Sequence, residues 1–371
     1  MLRPRKMIRC VLPLVLALGL ATAGGCAAPY LFHVAQGQAA ILMASRPIEE
    51  VINAPSVEPD VRAKLELVQA VKRFGEEEIG LKADNSFTTF TPVDGPAALY
   101  IVTAAPKLEL KAHTWTFPLV GSFPYKGFFD KALAEAEQEH LARAGLDTNL
   151  RAAAAYSTLG WFTDPVLEPL LASGEVTIAS VILHEKTHAT VFVPNYVAFN
   201  EGLATFVGQR GAVVFFAATE GRGSPHHTEA VRRVEDERRF GSFLREVTAE
   251  LERLYGSDLP RAEKLTRREA IFERSRLRIL EERDRYHYPD LVEFYSKARI
   301  NNAFLVTLQL YSVDVETYEK VHERHGRDLA KTVAFFKAAG RVAGDPEVYV
   351  RRWLEAGGPR VRLRRAAGPT R

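Results

Sequence analysis

Two cysteines in 371 residues, Cys10 and Cys26, are too few to build a disulfide framework. Cys10 lies in a stretch that reads as a removable leader, so the mature chain has one thiol and no disulfide to make. A charge excess is missing as well. The formal net charge of +3 falls to −1 once Arg3, Arg5, Lys6 and Arg9 leave with the leader, and such a balance implies no nucleic-acid partner. The apolar run from Val11 to Leu20 is too short to span a bilayer permanently. No internal repeat is evident. What remains is ordinary globular composition, 47% hydrophobic and 26% charged, long enough for one large or two ordinary domains.

The first residues read as a secretory signal: a basic start, a short apolar run, then small residues from Ala21 to Gly25. Cys26 follows directly, in a setting that resembles a bacterial lipobox, where the cysteine is lipidated and becomes the mature amino terminus. Ala23 stands where leucine is usual, so an ordinary secretory signal is the alternative. By resemblance to sorted lipoproteins, a residue other than Asp at Ala27 fits an outer-membrane destination facing the periplasm.

The chemistry concentrates between Val181 and Gly208, VILHEKTHATVFVPNYVAFNEGLATFVG. His184 and His188 are four apart and share one helix face, the reach two nitrogens need to hold one metal ion. Glu185 points about 100° around the same helix, near enough to act on a water at that ion without being a ligand. Apolar residues before the first histidine and after the second (Val191, Phe192 and Val193) suit a buried helix broken at Pro194 and Asn195. A second helix is expected from about Ala198. It carries Glu201, the nearest downstream carboxylate and the expected third ligand of one Zn²⁺.

HEKTH followed by FNEGLA resembles the gluzincin metallopeptidases. More closely, the chain from about Gln36 to about Phe336 resembles a bacterial family of zinc-dependent aminopeptidases, many of them lipoproteins. The motifs WTFPLVGSFPYKGFFD (Trp115 to Asp130), AYSTLGWFTDPVL (Ala155 to Leu167) and INNAFL (Ile300 to Leu305) carry that resemblance. Lys186 and Thr187 depart from it, since the family more often has an apolar residue and Ala there. The resemblance implies a peptidase with a strand lining its cleft upstream of the zinc helix. Ser157, Leu159 and Gly160 would offer backbone to extended substrate, unless that strand is interior. It also implies a downstream Tyr or His that stabilises the oxyanion. Tyr311, Tyr295, Tyr286 and His287 are available, and Tyr311 is favoured through its apolar helix to Asn301 and Asn302. Tyr125, between Gly121 and Gly127, is a candidate pocket wall.

Coarse patterning predicts an α+β, predominantly helical fold with a small antiparallel sheet between Phe87 and Val120 and a helical carboxy-terminal half. Helices are expected at Tyr30 to Arg46, Val61 to Phe74, Lys126 to Arg143, His226 to Tyr255, Arg261 to Tyr286, Leu291 to Tyr311, Asp328 to Ala338 and Pro346 to Ala356. Asp164 before Pro165 reads as a helix cap, His226 and His227 as a surface loop, and the dense charges of the hairpin over 226–286 as a solvated face. The domain reading is a leader at 1–25, an α+β zinc-binding region at 26–223, a helical region at 224–356 and a basic disordered tail at 357–371.

The expected activity is peptide-bond hydrolysis in the cell envelope, with a peptide as partner and a lipid anchor to the membrane. A non-catalytic protein with structural zinc and a peptide-binding cleft is one alternative. A cell-wall peptide endopeptidase is another. No acidic motif upstream of the zinc helix marks where a free amine would bind, which leaves exo- and endopeptidase open.

Overall fold

The computed structural model describes residues 28–93, 95, 97–117, 121–153, 163–311 and 315–358. Cys26, the lipobox, Ser157, Leu159, Gly160 and the basic tail from 359 lie outside them. The fold is α+β and predominantly helical, as the patterning predicts. Twelve helices matter here: α1 (Ala28–Ala44), α2 (Pro59–Glu77), α3 (Lys131–Arg143), α4 (Glu175–Thr190), α5 (Val197–Thr219), α6 (Pro225–Tyr255), α7 (Arg261–Glu281), α8 (Asp290–Lys297), α9 (Asn302–Tyr311), α10 (Val315–Arg324), α11 (Leu329–Ala339) and α12 (Pro346–Glu355). No helix among the described residues is long and apolar enough to cross a membrane.

The strands are β1 (Arg46–Pro47), β2 (Thr89–Thr91), β3 (Leu99–Ala105), β4 (Trp115–Phe117), β5 (Gly121–Phe123), β6 (Lys126–Phe128), β7 (Asp147–Ala153) and β8 (Val166–Leu167), and the main sheet is antiparallel, with β3 between β6 and β7. Its register runs from Leu99 opposite Ala153 to Ala105 opposite Asp147. Alternation decides what covers each face. Val102 and Ala104 pack with Ala134 and Leu141 of α3, while Ala105 meets Ala303 and Val306 of α9. Two corrections follow. Lys126 to Phe128 is strand rather than helix, and α3 begins only after Asp130, whose carboxylate caps it by accepting the Ala132 and Leu133 N–H groups. Strand β7 falls in a stretch that the patterning passed over.

Two apolar cores organise the helices. One gathers α2, α4, α5 and the returning α10 to α12, with Val68, Leu183, Phe206, Phe336 and Trp353 among its members. The other belongs to α6 to α9 and is built on Phe240, Leu251, Ile271, Tyr295 and Phe304. Not every charge of the α6–α7 hairpin faces water, because Asp236 and Arg268 are buried. Arg268 forms a two-pronged pair with Asp147 of β7, at 2.8 and 3.0 Å, and also donates to the Lys107 carbonyl. The Asn301-Asn302 motif closes the same knot: Asn301 donates to the Thr148 carbonyl, and Asn302 spans Asp147, Pro106 and Glu109. That is the structural content of INNAFL, which pins the helical half to the sheet.

The predicted single helix over 291–311 is two, α8 and α9, separated by residues 298–301. Asp164 caps no helix: the short helix Glu168–Leu171 starts later, with Leu167 in the cap position. His226 and His227 stand in the first turn of α6 rather than in a loop, where His226 contacts Glu220 at 2.7 Å.

Candidate metal centre

Helices α4 and α5 pack antiparallel and unusually close. The reason is glycine on the contact face of α5. A Cβ at Gly208 would stand 2.6 Å from the Ser180 carbonyl oxygen and 3.2 Å from the His184 Cβ, and one at Gly211 would collide with Leu183. With nothing in those positions, the α5 backbone lies against the α4 turn that carries His184.

Helix α4 stops sooner than its apolar pattern suggests. It ends at Thr190, and Val191 is extended at φ −135°, ψ 109°, so Val191 to Val193 is connection rather than helix. Proline at 194 disfavours helical backbone at Val193, and Asn195 takes the left-handed conformation that the tight reversal needs, φ 69°. Asn200 then clasps this connection. Its side-chain oxygen accepts the Val193 N–H at 2.9 Å, and its amide donates to the Val193 carbonyl at 2.8 Å, both buried. The clasp fixes the first turn of α5 and therefore the next residue, Glu201.

The result is convergence. His184, His188 and Glu201 place one ligand atom each within 4.8 Å of one another, a group that can hold a metal ion. The two Nε2 atoms are 3.1 Å apart, and each is 3.5 Å from the same Glu201 oxygen. His188 and Glu201 are buried, and His184 is half-buried. Burial by itself would push the Glu201 carboxyl up, but the histidine N–H groups beside it hold it far below the usual carboxylate range. His188 moves the opposite way: burial alone would lower it, and Glu201 more than offsets that and raises it. The His188 Nδ1 atom is buried and has no hydrogen-bond partner among the described residues.

Glu185 is half-buried on α4, and its charge is felt at His188. Among the described residues it makes no hydrogen bond or ion pair. Lys186, the departure from the family pattern, turns into the protein and is fully buried. Its ammonium donates to Glu76 at 2.7 Å, to the Lys82 carbonyl at 2.6 Å and to Asp84 at 2.9 Å, the full donor capacity of the group. Thr190 extends the strap by accepting the Lys82 N–H at 2.8 Å. Burial would raise the Glu76 and Asp84 carboxyls, yet the hydrogen bonds from Lys186 carry both below their ordinary values.

Tyr311 is the last residue of α9, and its side chain is outside what the structure describes. Tyr295 is buried in the second core with its hydroxyl 2.8 Å from Ser275, and burial pushes it up to about 12. Tyr286 is also buried there, and His287 contacts Glu235 at 2.8 Å. Tyr125 stands between β5 (Gly121–Phe123) and β6, its ring 5.9 Å from Phe123. Sequence reasoning missed Asn200, Lys186, Glu76 and Asp84 as supports of α4 and α5. One signal was available: a lysine on the apolar face of a buried helix demands carboxylates nearby.

A family model described as "Putative aminopeptidase" matches residues 29–353. No curated protein and no solved structure matches the chain.

Proposed function

Because the chain belongs to this aminopeptidase family, we propose that it is a zinc-dependent peptidase of the gluzincin type, with His184, His188 and Glu201 holding one ion and Glu185 as general base. The observation that carries this reading is the convergence of two imidazoles and one carboxylate, beside a second carboxylate, Glu185, that makes no hydrogen bond or ion pair among the described residues. The donor set suits zinc, since two histidines and a glutamate are a usual set for a hydrolytic site that keeps one position open. The side chains suit it too. Two ring nitrogens 3.1 Å apart, both turned to one carboxylate oxygen, form a cluster that a cation between them would complete.

When bound, zinc supplies Lewis acidity that polarises a scissile carbonyl and acidifies water. The chain's own residues do the rest. Glu185 accepts the proton of the attacking water and returns it to the leaving amine nitrogen, acting as base and then as acid. Asn200 and Lys186 hold the two helices in register so that this geometry exists before substrate arrives. Tyr311 is the proposed oxyanion donor. Tyr125, Ser157, Leu159 and Gly160 are the proposed substrate-lining residues. A lipid on Cys26 would hold the enzyme at the cell envelope, facing the periplasm.

Replacing Glu185 with Gln tests the reading. Zinc content should stay at about one ion per chain, while cleavage of amino-acid anilides falls by about 10²- to 10⁴-fold. Full activity in that variant would eliminate the proposed base. The outcome also separates an enzyme from a protein that uses zinc only to pin two helices, because a structural site has no use for Glu185.

A further inference from the structure

Beside α4 lies a cavity of about 290 Å³. Val176, Thr177, Ser180 and Val181 of α4 form one wall, α5 and α6 form two more, and the start of α8 closes it. The metal group does not line it. However, Ser180 and Val181 stand one helical turn before His184, about 5 Å along the axis, and helical side chains lean toward that preceding turn.

The ionisable groups around this cavity are nearly all spent. Asp236 accepts the N–H groups of His287 and Tyr288 at 3.0 and 2.9 Å and pairs with Arg239 at 3.1 Å. Arg233 is shared between Glu229 at 2.7 Å and Asp290 at 2.9 Å. Glu237 is what remains. It reaches the cavity from the same face of α6 as Arg233 and Val234, and among the described residues its carboxyl makes no hydrogen bond or ion pair. It is half-buried, enclosed by protein and open to the cavity. That burial pushes it up to about 7 against the pull of Arg233, with Asp236 and Asp290 adding to the rise. Neutral Thr177, Ser180 and Gln209 face it from α4 and α5, and Tyr288 and Asp290 from the approach to α8. Val176, Val181, Val234 and Leu291 supply apolar wall, and Phe294 stands 53% exposed beside them.

A carboxylate that makes no ion pair among the described residues, in a cavity whose other ionisable side chains are already paired and whose remaining walls are apolar or neutral, is built for an alkylammonium. We propose that the cavity receives the free amino terminus of the peptide substrate, with Glu237 as its counter-ion and the apolar walls around the first side chain. This assignment rests on the peptidase reading and makes the enzyme an exopeptidase. It also supplies the acidic group for which the sequence upstream of the zinc helix offers no motif.

Isothermal titration of the full chain with L-leucinamide and N-acetyl-L-leucinamide reads the site without turnover. The free amine should bind about tenfold to a hundredfold more tightly than the acetylated form, the worth of a hydrogen bond to a charged group. Glu237→Gln should erase that preference while zinc content and thermal melting stay unchanged, and Glu237→Asp should restore part of it. Binding of L-leucinamide should be strongest between about pH 7, where Glu237 ionises, and about pH 8, where the ligand's amine loses its proton. Equal binding of the two amides, no binding of either, or a preference that survives Glu237→Gln would overturn the assignment. Tighter binding of Nα-acetyl-L-lysinamide than of L-leucinamide would overturn it in favour of a basic side chain. These titrations need no cleavage, so failure of the Glu185→Gln test would sink the peptidase reading and leave the amine site to be judged separately.

Discussion

Arg268 and Lys186 are buried cations that each tie a helix to a distant part of the chain, and they sit in environments of opposite character. Arg268 joins α7 to β7 in a knot where every neighbour is spent: both Asp147 oxygens, the Lys107 carbonyl, and both Asn301 and Asn302 with their backbone partners. Lys186 joins α4 to the 82–84 strap with equal thrift. On the neighbouring positions of the same helix, however, His184 and His188 face one carboxylate, and among the described residues one ring nitrogen is buried without a partner and Glu185 makes no hydrogen bond or ion pair. Polar groups that satisfy one another give architecture. Polar groups left to converge with spare capacity give a place for an ion.

Breaking each cation in turn shows whether the comparison holds. Lys186→Met leaves Asp84 without its ion-pair partner and Glu76 with Lys72 alone, and should cost about 3–5 kcal/mol in denaturant unfolding. Because α4 then loses its anchor beside His184 and His188, zinc affinity should fall as well; a destabilised variant with native zinc affinity would show that the strap does not position the site. Arg268→Met should destabilise by a similar amount, about 3–5 kcal/mol, with zinc affinity unchanged in competition with a chelator. Loss of metal there would merge the two regions into one. Gly208→Ala drives a methyl group against the Ser180 carbonyl and should cost about 1–3 kcal/mol, spreading α4 from α5 and weakening zinc binding. Asn200→Ala removes two buried hydrogen bonds and should cost about 1–3 kcal/mol, with a weaker zinc site; Asn200→Asp should rescue only the bond from the Val193 N–H.

The smallest effect is a pH dependence. The folded Glu76 and Asp84 carboxyls lie below their unfolded values. Their contribution is therefore complete above the unfolded pKa values of about 4 and disappears as pH falls through the lower folded ones. Acid titration of unfolding stability should show this decline in the wild type and a shallower one in Lys186→Met. Equal slopes would detach the decline from the strap.

The metal group was readable because its spacing is local: i, i+4 on one helix, a turn, then a carboxylate early in the next. The class of the fold was readable for the same reason, since long periodic stretches such as 226–255 and 261–281 report their own helicity. What stayed hidden depends on partners remote in the chain. Lys186 looks like an anomaly until Glu76 and Asp84 arrive from about a hundred residues away. The charges of α6 looked uniformly solvated because Asp236 and Glu237 differ from their neighbours only in what α8 and α4 bring against them. Val191 to Val193 reads as helix by composition, and it is Pro194 together with the Asn200 clasp that extends it.

The three donors of the metal group all lie between positions 184 and 201, on two consecutive helices joined by six residues. Little chain must be looped to bring them together, so the entropy of closure is small and contacts of this kind form early when a polypeptide collapses. A helical hairpin that already presents its ligands gives a divalent ion something to grip before the sheet, the Arg268 knot and the second core have assembled. The ion would then act on the order of folding as well as on the finished site, lending stability to the nascent hairpin by mass action.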